Sequence, residues 1–314
     1  MSKTRDFLGP YRLARLIRAG STSEVWEAIE EHDHKRYALK ILKRSMRENK
    51  GEIAALKHEF TVAKDLSSDR IVKMYEHRVE NGVPFLVMEL FSELNMKQAL
   101  RRGPESLAFM LDKIIMQAAE GLYYMHTKNW IHRDIKPDNY LVSREGVTKL
   151  IDFTIAEQKK SGIGKLFHRS GGTVQGTRSY MSPEQIRGKI CDERSDVYSF
   201  GCVLYEAATG KPPFTGQTPN DLLSKHLNAS IPSAVAQNSN VTKEFAELVK
   251  KMMAKKPDQR PESMWEFLKI FRSLQIFKKR PKPPEISVFD DMPGIRGSED
   301  LLIKGKPKNE GDEE

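Results

Sequence analysis

Cysteine is almost missing from this chain: Cys191 and Cys202 are the only two among 314 residues. Two thiols cannot build the disulfide framework that small secreted domains rely on, and neither stands at metal-ligand spacing from a histidine, so the pattern fits a reducing compartment. Cys202 lies inside the apolar run 197–208 and is expected to be a small buried hydrophobe, not a reactive thiol. Long hydrophobic runs are missing too. Nothing approaches the roughly 18 continuous apolar residues of a membrane helix, and the opening MSKTRDFLGPYRL has no apolar signal core. These absences predict a cytoplasmic protein without a transmembrane segment. No internal repeat is visible.

What is present is ordinary in bulk: 39% hydrophobic and 30% charged residues, the composition of a soluble globular protein. The length suggests two globular units of unequal size. A formal charge of +9 brings nucleic acid and acidic membrane surfaces into view as partners. The basic residues are spread along the chain, however, with local enrichment at 35–50 and 277–282, as solvated lysines are. No nucleic-acid partner is expected.

Periodicity divides the chain. Between Tyr11 and Leu90, apolar and polar residues alternate in short runs (RLARLIRAG, SEVWEAI, RYALKIL, IVKMYEHRV, PFLVMEL) that read as five strands of an antiparallel sheet. One helix interrupts them, with Ile53, Leu56, Phe60, Ala63 and Leu66 at helical spacing over 52–66. From Asn95 onward the period is helical: a long amphipathic helix over 108–126, an apolar one over 194–209 stopped by Gly210-Lys211-Pro212, and three more near Asn220, Lys243 and Pro261. The fold class is α+β, with a strand-rich lobe at about 11–90, a connector at 89–95 and a helical lobe at about 96–274. The active site should lie between the lobes. Residues 278–314, rich in Pro, Gly, Lys and acids and ending in NEGDEE, read as a disordered charged tail.

The chemistry concentrates in one stretch. Residues 131–139 read IHRDIKPDN and residues 150–153 read LIDF. Asp134 can accept a hydroxyl proton, Lys136 can meet phosphate charge, and Asn139 and Asp152 offer hard oxygens for Mg²⁺, with Mn²⁺ as the alternative ion. Together they form a kit for moving the terminal phosphoryl group of a nucleotide. Five fixed letters of this kind arise by chance on the order of once per few million positions, so the stretch is informative by itself.

This motif set resembles the eukaryotic-like serine/threonine protein kinases, and looks closest to those of bacteria; the resemblance covers roughly 11–274. It implies the bilobal protein-kinase fold, ATP and Mg²⁺ as cofactors, and proteins with Ser or Thr acceptors as substrates. By the same resemblance the hairpin from Ile17 through Gly20 to Val25 covers the nucleotide, with Arg18 and Ser23 where the family carries its outer glycines, a departure that should restrict the loop and weaken ATP binding. Tyr37-Ala38-Leu39-Lys40 matches the strand that delivers a lysine to the α- and β-phosphates, and Glu59 is the expected carboxylate partner of Lys40, with Glu52 a weaker competitor. Glu89 and Phe91 belong to the hinge whose backbone meets adenine, next to Met88 as gatekeeper.

The resemblance further implies that Asp134 orients the acceptor hydroxyl, that Lys136 stabilises the moving phosphoryl group, and that Asn139 and Asp152 hold the metal. Arg133 implies an activation segment ordered when a phosphate meets its guanidinium; Ser170 and Thr173 are the candidate regulatory phosphoacceptors. Thr154 stands where the family has glycine, and a β-branched residue there should resist the backbone flip to an inactive state. Glu184 should pair with Arg260, and Asp196 should anchor the catalytic loop. Lys136 with Thr177 favours Ser/Thr over Tyr specificity. Many such kinases continue through a basic linker into a membrane span, whereas here FKKRPKPPE leads to a polar tail. Homodimers supporting trans-autophosphorylation are a further implication. The alternatives are a pseudokinase-like nucleotide-binding scaffold and a small-molecule kinase.

Overall fold

The computed structural model describes residues 7–159 and 178–285, together with 287 and 289. The first part is an antiparallel sheet of β1 (Phe7–Leu8), β2 (Tyr11–Ala19), β3 (Ser23–Glu30), β4 (Arg36–Leu42), β5 (Met74–Glu80) and β6 (Val83–Glu89), in spatial order β1-β2-β3-β4-β6-β5. The five expected strands are thus joined by a sixth of two residues at the β2 edge, too short to leave an alternation. Asn81 and Gly82 close the β5–β6 hairpin, both at positive φ (50° and 77°), as the tightest hairpin turns require and as Asn-Gly supplies at least steric cost.

Helix α1 (Lys50–Ala63) crosses the sheet and starts where the Asn49 side chain accepts the Gly51 and Glu52 N–H groups. One face of the sheet buries Tyr11, Leu39, Ile41 and Phe85 in a core of its own. A second, larger core begins with Leu56, Val62 and Leu86 and runs on into the helical part of the molecule through Leu122, Tyr140 and Phe200.

Past the connector come β7 (Leu94–Asn95), α2 (Met96–Leu100), α3 (Glu105–Ala108), α4 (Leu111–Thr127), β8 (Trp130–Ile131), β9 (Tyr140–Val142), β10 (Thr148–Leu150) and β11 (Glu157–Gln158). The helix expected from 108 begins only at Leu111, because the chain leaves helical dihedrals at Met110 (φ −126°, ψ 16°). Apolar spacing runs through that break unaltered, with Leu107 and Leu111 both fully buried, which is why periodicity does not register it. The short strands pair as β10-β9-β7 and β11-β8 and bracket the loop between β8 and β9.

The remaining helices are α5 (Pro183–Ile186), α6 (Glu193–Thr209), α7 (Pro219–Asn228), α8 (Ala234–Gln237), α9 (Lys243–Met252) and α10 (Met264–Phe271). Helix α6 is the axis of this lobe, buried at every position from Ser195 to Thr209. It ends at Gly210, in the left-handed conformation at φ 77°, where a side chain would be strained and would also meet the Pro104 ring. No described helix is long and apolar enough to cross a membrane.

Candidate active site

Strand β4 sorts its residues by period 2: Leu39 and Ile41 enter the small core, while Ala38 and Lys40 face a cleft of about 640 Å³ between the sheet and the helical lobe. On α1, Glu59 shares the buried stripe of Leu56, Val62 and Ala63 and is itself 2% exposed. A carboxylate there needs a partner. Lys40 Nζ supplies it at 2.6 Å from Glu59 Oε2 and also lies 3.4 Å from Asp152 Oδ1. Glu59, not Glu52, therefore takes the lysine.

Burial alone would lower the Lys40 pKa, yet Asp152 and then Glu59 outweigh it and hold the ammonium charged. Glu59 moves the opposite way: burial pushes its carboxyl up, and the attraction of Lys40 only partly offsets that. For Asp152, burial is outweighed by Lys40 and by a hydrogen bond from Thr154, which keep it well below the usual carboxylate range.

The loop after β8 hangs from α6. The Asp196 carboxylate, fully buried, accepts the backbone N–H groups of His132 and Arg133, both at 2.8 Å. It also lies 2.8 Å from His126 Nε2. Arg133 takes φ 67°, and its carbonyl accepts Gln185 Nε2 at 2.7 Å. These contacts fix a strained turn and carry the expected anchoring role of Asp196. Beyond the turn, Lys136 Nζ lies 2.5 Å from Asp134 Oδ2. Asn139 donates through Nδ2 to the Asp134 carbonyl at 2.8 Å and to its carboxylate at 3.3 Å.

That leaves Asn139 Oδ1 buried with no hydrogen-bond partner. A buried amide oxygen without a partner is costly, and a hard cation is what relieves it. The Asp152 carboxylate of the cleft offers a second hard oxygen of the kind divalent cations take. Among the described residues no three His, Cys, Asp or Glu side chains cluster to cage a metal, so an ion held here would complete its shell with oxygens from elsewhere, as Mg²⁺ does with phosphates.

The anticipated cofactor residues Ile17, Gly20, Val25, Ala38, Lys40, Glu59, Glu89, Phe91 and Asp152 all line the cleft, as do Asp134 and Lys136. Gly20 donates its N–H to Ser23 O at 2.8 Å, and a Cβ there would stand 3.0 Å from that same oxygen. Leu141 of β9 and Ile151, just after β10, line the cleft as well and were not anticipated, since apolar residues in or beside short strands look like plain core. The Glu89 side chain turns to Lys149 of β10, with Lys149 Nζ 2.7 Å from Glu89 Oε1, and accepts the Lys73 N–H at 3.2 Å. Lys149 also sits 5.7 Å from the centre of the Phe91 ring. This strap from connector to β10 left no signal in the sequence.

Arg260 and Glu184 form a bidentate pair at 2.7 and 2.9 Å, away from the cleft, reinforced by the Ser195 hydroxyl at 2.7 Å. Burial would raise the Glu184 pKa, but its hydrogen bond from Arg260 and the guanidinium charge bring it below the usual value. Thr154 stays out of the left-handed region, as suits a β-branched residue, and Asp152 takes it instead, at φ 69°. Ser170, Thr173 and Thr177 lie outside the described residues, as does most of the tail.

Comparison with known proteins bears on the same region. The family model described as the protein kinase domain matches residues 11–270. Among curated proteins, the serine/threonine-protein kinase PknB of Mycolicibacterium smegmatis is 32% identical over 260 residues, covering 82% of this chain and 41% of that protein. A probable serine/threonine-protein kinase of Streptomyces coelicolor is 31% identical, over 84% of this chain and 39% of its own. PknA of Corynebacterium glutamicum is 30% identical, over 94% of this chain and 63% of its own. The chain thus spans about two fifths of the length of the first two relatives.

Proposed function

Because this chain belongs to the protein kinase family, we propose that it is an ATP- and Mg²⁺-dependent serine/threonine protein kinase, its catalytic unit spanning 11–274. The observation that carries the reading is the convergence of the Lys40–Glu59–Asp152 network with Asp134 and Lys136 on one cleft, Asn139 being buried behind Asp134 and bonded to it.

In this reading Lys40, placed by Glu59 and held charged by Asp152 and Glu59, binds the α- and β-phosphates of ATP. Apolar walls that include Ile17, Val25, Ala38, Leu141 and Ile151 enclose the base, next to the connector at Glu89 and Phe91. Asn139 and Asp152 hold the Mg²⁺ ion, which neutralises phosphate charge when bound. Asp134 orients the acceptor hydroxyl and takes its proton as the hydroxyl oxygen bonds to the γ-phosphorus; the bond from that phosphorus to the bridging oxygen breaks, and ADP leaves. Lys136 balances charge on the transferred group. Support for Ser/Thr acceptors comes from Lys136 in the loop and from the names of the relatives. The Glu184–Arg260 pair, which braces the segment after 178, favours a protein over a small-molecule acceptor.

The test is transfer of labelled phosphate from ATP, to the protein itself and to a generic protein acceptor. Wild type should label, in trans between two copies, and Asp134→Ala should lose at least about 100-fold, the usual contribution of a general base. Equal labelling by that variant would refute the mechanism. Arg18 and Ser23 in the hairpin motivate the second reading, a nucleotide-binding scaffold. Folded wild type that binds ATP yet labels nothing would favour it.

A further inference from the structure

The hydroxyl of Thr154 stands between the two carboxylates of the cleft. Its Oγ1 lies 2.6 Å from Asp152 Oδ1 and 3.2 Å from Glu59 Oε2. Both carboxylates also share Lys40, at 2.6 Å for Glu59 Oε2 and 3.4 Å for Asp152 Oδ1. Two like charges brought together by one ammonium repel each other, and a hydroxyl offers a single proton, so the shorter contact, to Asp152, takes it. Thr154 and Lys40 both act on Oδ1. Between them they set the rotation of the Asp152 carboxylate and leave Oδ2 as the oxygen for an ion.

The backbone gives the bond its purpose. Asp152 is held at φ 69°, an unfavourable conformation for a residue with a Cβ, so its side chain needs a second constraint to stay in place. Glycine at 154 would supply none. A threonine supplies a charge-assisted hydrogen bond within the loop.

Resting on the kinase reading above, we propose that Thr154 is a positioning residue: its hydroxyl fixes the Asp152 carboxylate for the metal ion. Its loss should weaken the ion's grip without harming the pocket for the base.

The experiment titrates Mg²⁺ against binding of a fluorescent ATP analogue, without any phosphoryl transfer, in wild type and in Thr154→Val, Thr154→Ser and Thr154→Gly. Val matches the shape but removes the hydroxyl; Ser keeps the hydroxyl. Val and Gly should raise the Mg²⁺ concentration for half-maximal binding by about 10-fold, the worth of one hydrogen bond to a charged group. Ser should stay within about 3-fold of wild type, and binding without metal should be alike in all four. Thr154→Val matching a Mg²⁺-dependent wild type would overturn the role of Thr154 alone, as would Ser shifting as far as Val. Wild-type binding indifferent to Mg²⁺ would overturn the kinase reading together with it.

Discussion

Arg133 Nη1 lies 2.8 Å from Glu157 Oε2. The pairing of β11 with β8, which sets Glu157 opposite Ile131, brings this carboxylate to the base of the catalytic loop. The guanidinium expected to wait for a phosphate thus already has an anionic partner within the chain. Order in the catalytic loop should then depend little on phosphorylation. Phosphatase-treated wild type is expected to keep its initial rate within about 3-fold, and Glu157→Gln to lose about 10-fold after the same treatment, the scale of one charge-assisted contact. Initial rates before and after dephosphorylation decide it; wild type silenced by phosphatase would count against it.

Replacing Lys40 with Met should cut kcat by at least about 100-fold, since an ammonium aimed at phosphate acts through preorganised charge. The variant leaves Glu59 and Asp152 facing each other without their shared cation, and Glu59, whose pKa burial already raises, should take up a proton. Infrared bands of the protonated carboxyl at neutral pH would report it.

Arg260→Met should destabilise strongly, by about 3 to 5 kcal/mol, because it strands the buried Glu184 carboxylate. The pair lies at 0% and 8% side-chain exposure. Combining it with Glu184→Leu should recover part of the loss. Chemical denaturation of both variants measures the difference, and a double variant no more stable than Arg260→Met alone would reverse the argument.

Acid should destabilise the helical lobe before its carboxylates protonate. His226 is fully buried, with Tyr198 OH at 2.9 Å from Nδ1, the Phe214 ring at 4.9 Å and the Lys255 ammonium bound to its carbonyl at 2.9 Å. Burial, then the Lys255 charge, lowers its pKa from 6.5 to about 4. A histidine kept neutral when folded but free to charge when unfolded stabilises the protein above pH 6.5 and loses that contribution as pH falls toward 4. Linkage puts the loss between pH 7.5 and 5 at about 2 kcal/mol. His226→Gln should flatten this part of the stability profile in urea titrations, and an unchanged slope would exclude His226 as the source.

How far the site could be read in advance differs residue by residue. Asp134, Lys136, Asn139 and Asp152 occur within a short span at fixed spacing, so local sequence carries them. Lys40 and Glu59 were readable only through the resemblance; the structure adds the physical reason, a strand face that turns Lys40 to the cleft and a buried stripe in which Glu59 needs a partner. Lys149 and Glu157 were not readable. Each is a charged residue in a strand of two or three residues, where alternation is too brief to say which way the side chain points.

Alternation, helical spacing and one dense motif were enough by themselves to indicate a strand-rich part with one helix, a helical part after it and the loop around Asp134, because these depend on residues close together in the chain. The meeting of Thr154 with Glu59, of Arg133 with Glu157 and of Lys149 with Glu89 was decided only by tertiary structure. Those contacts join side chains separated by as many as 95 positions, and no local preference records which distant charges burial will force together.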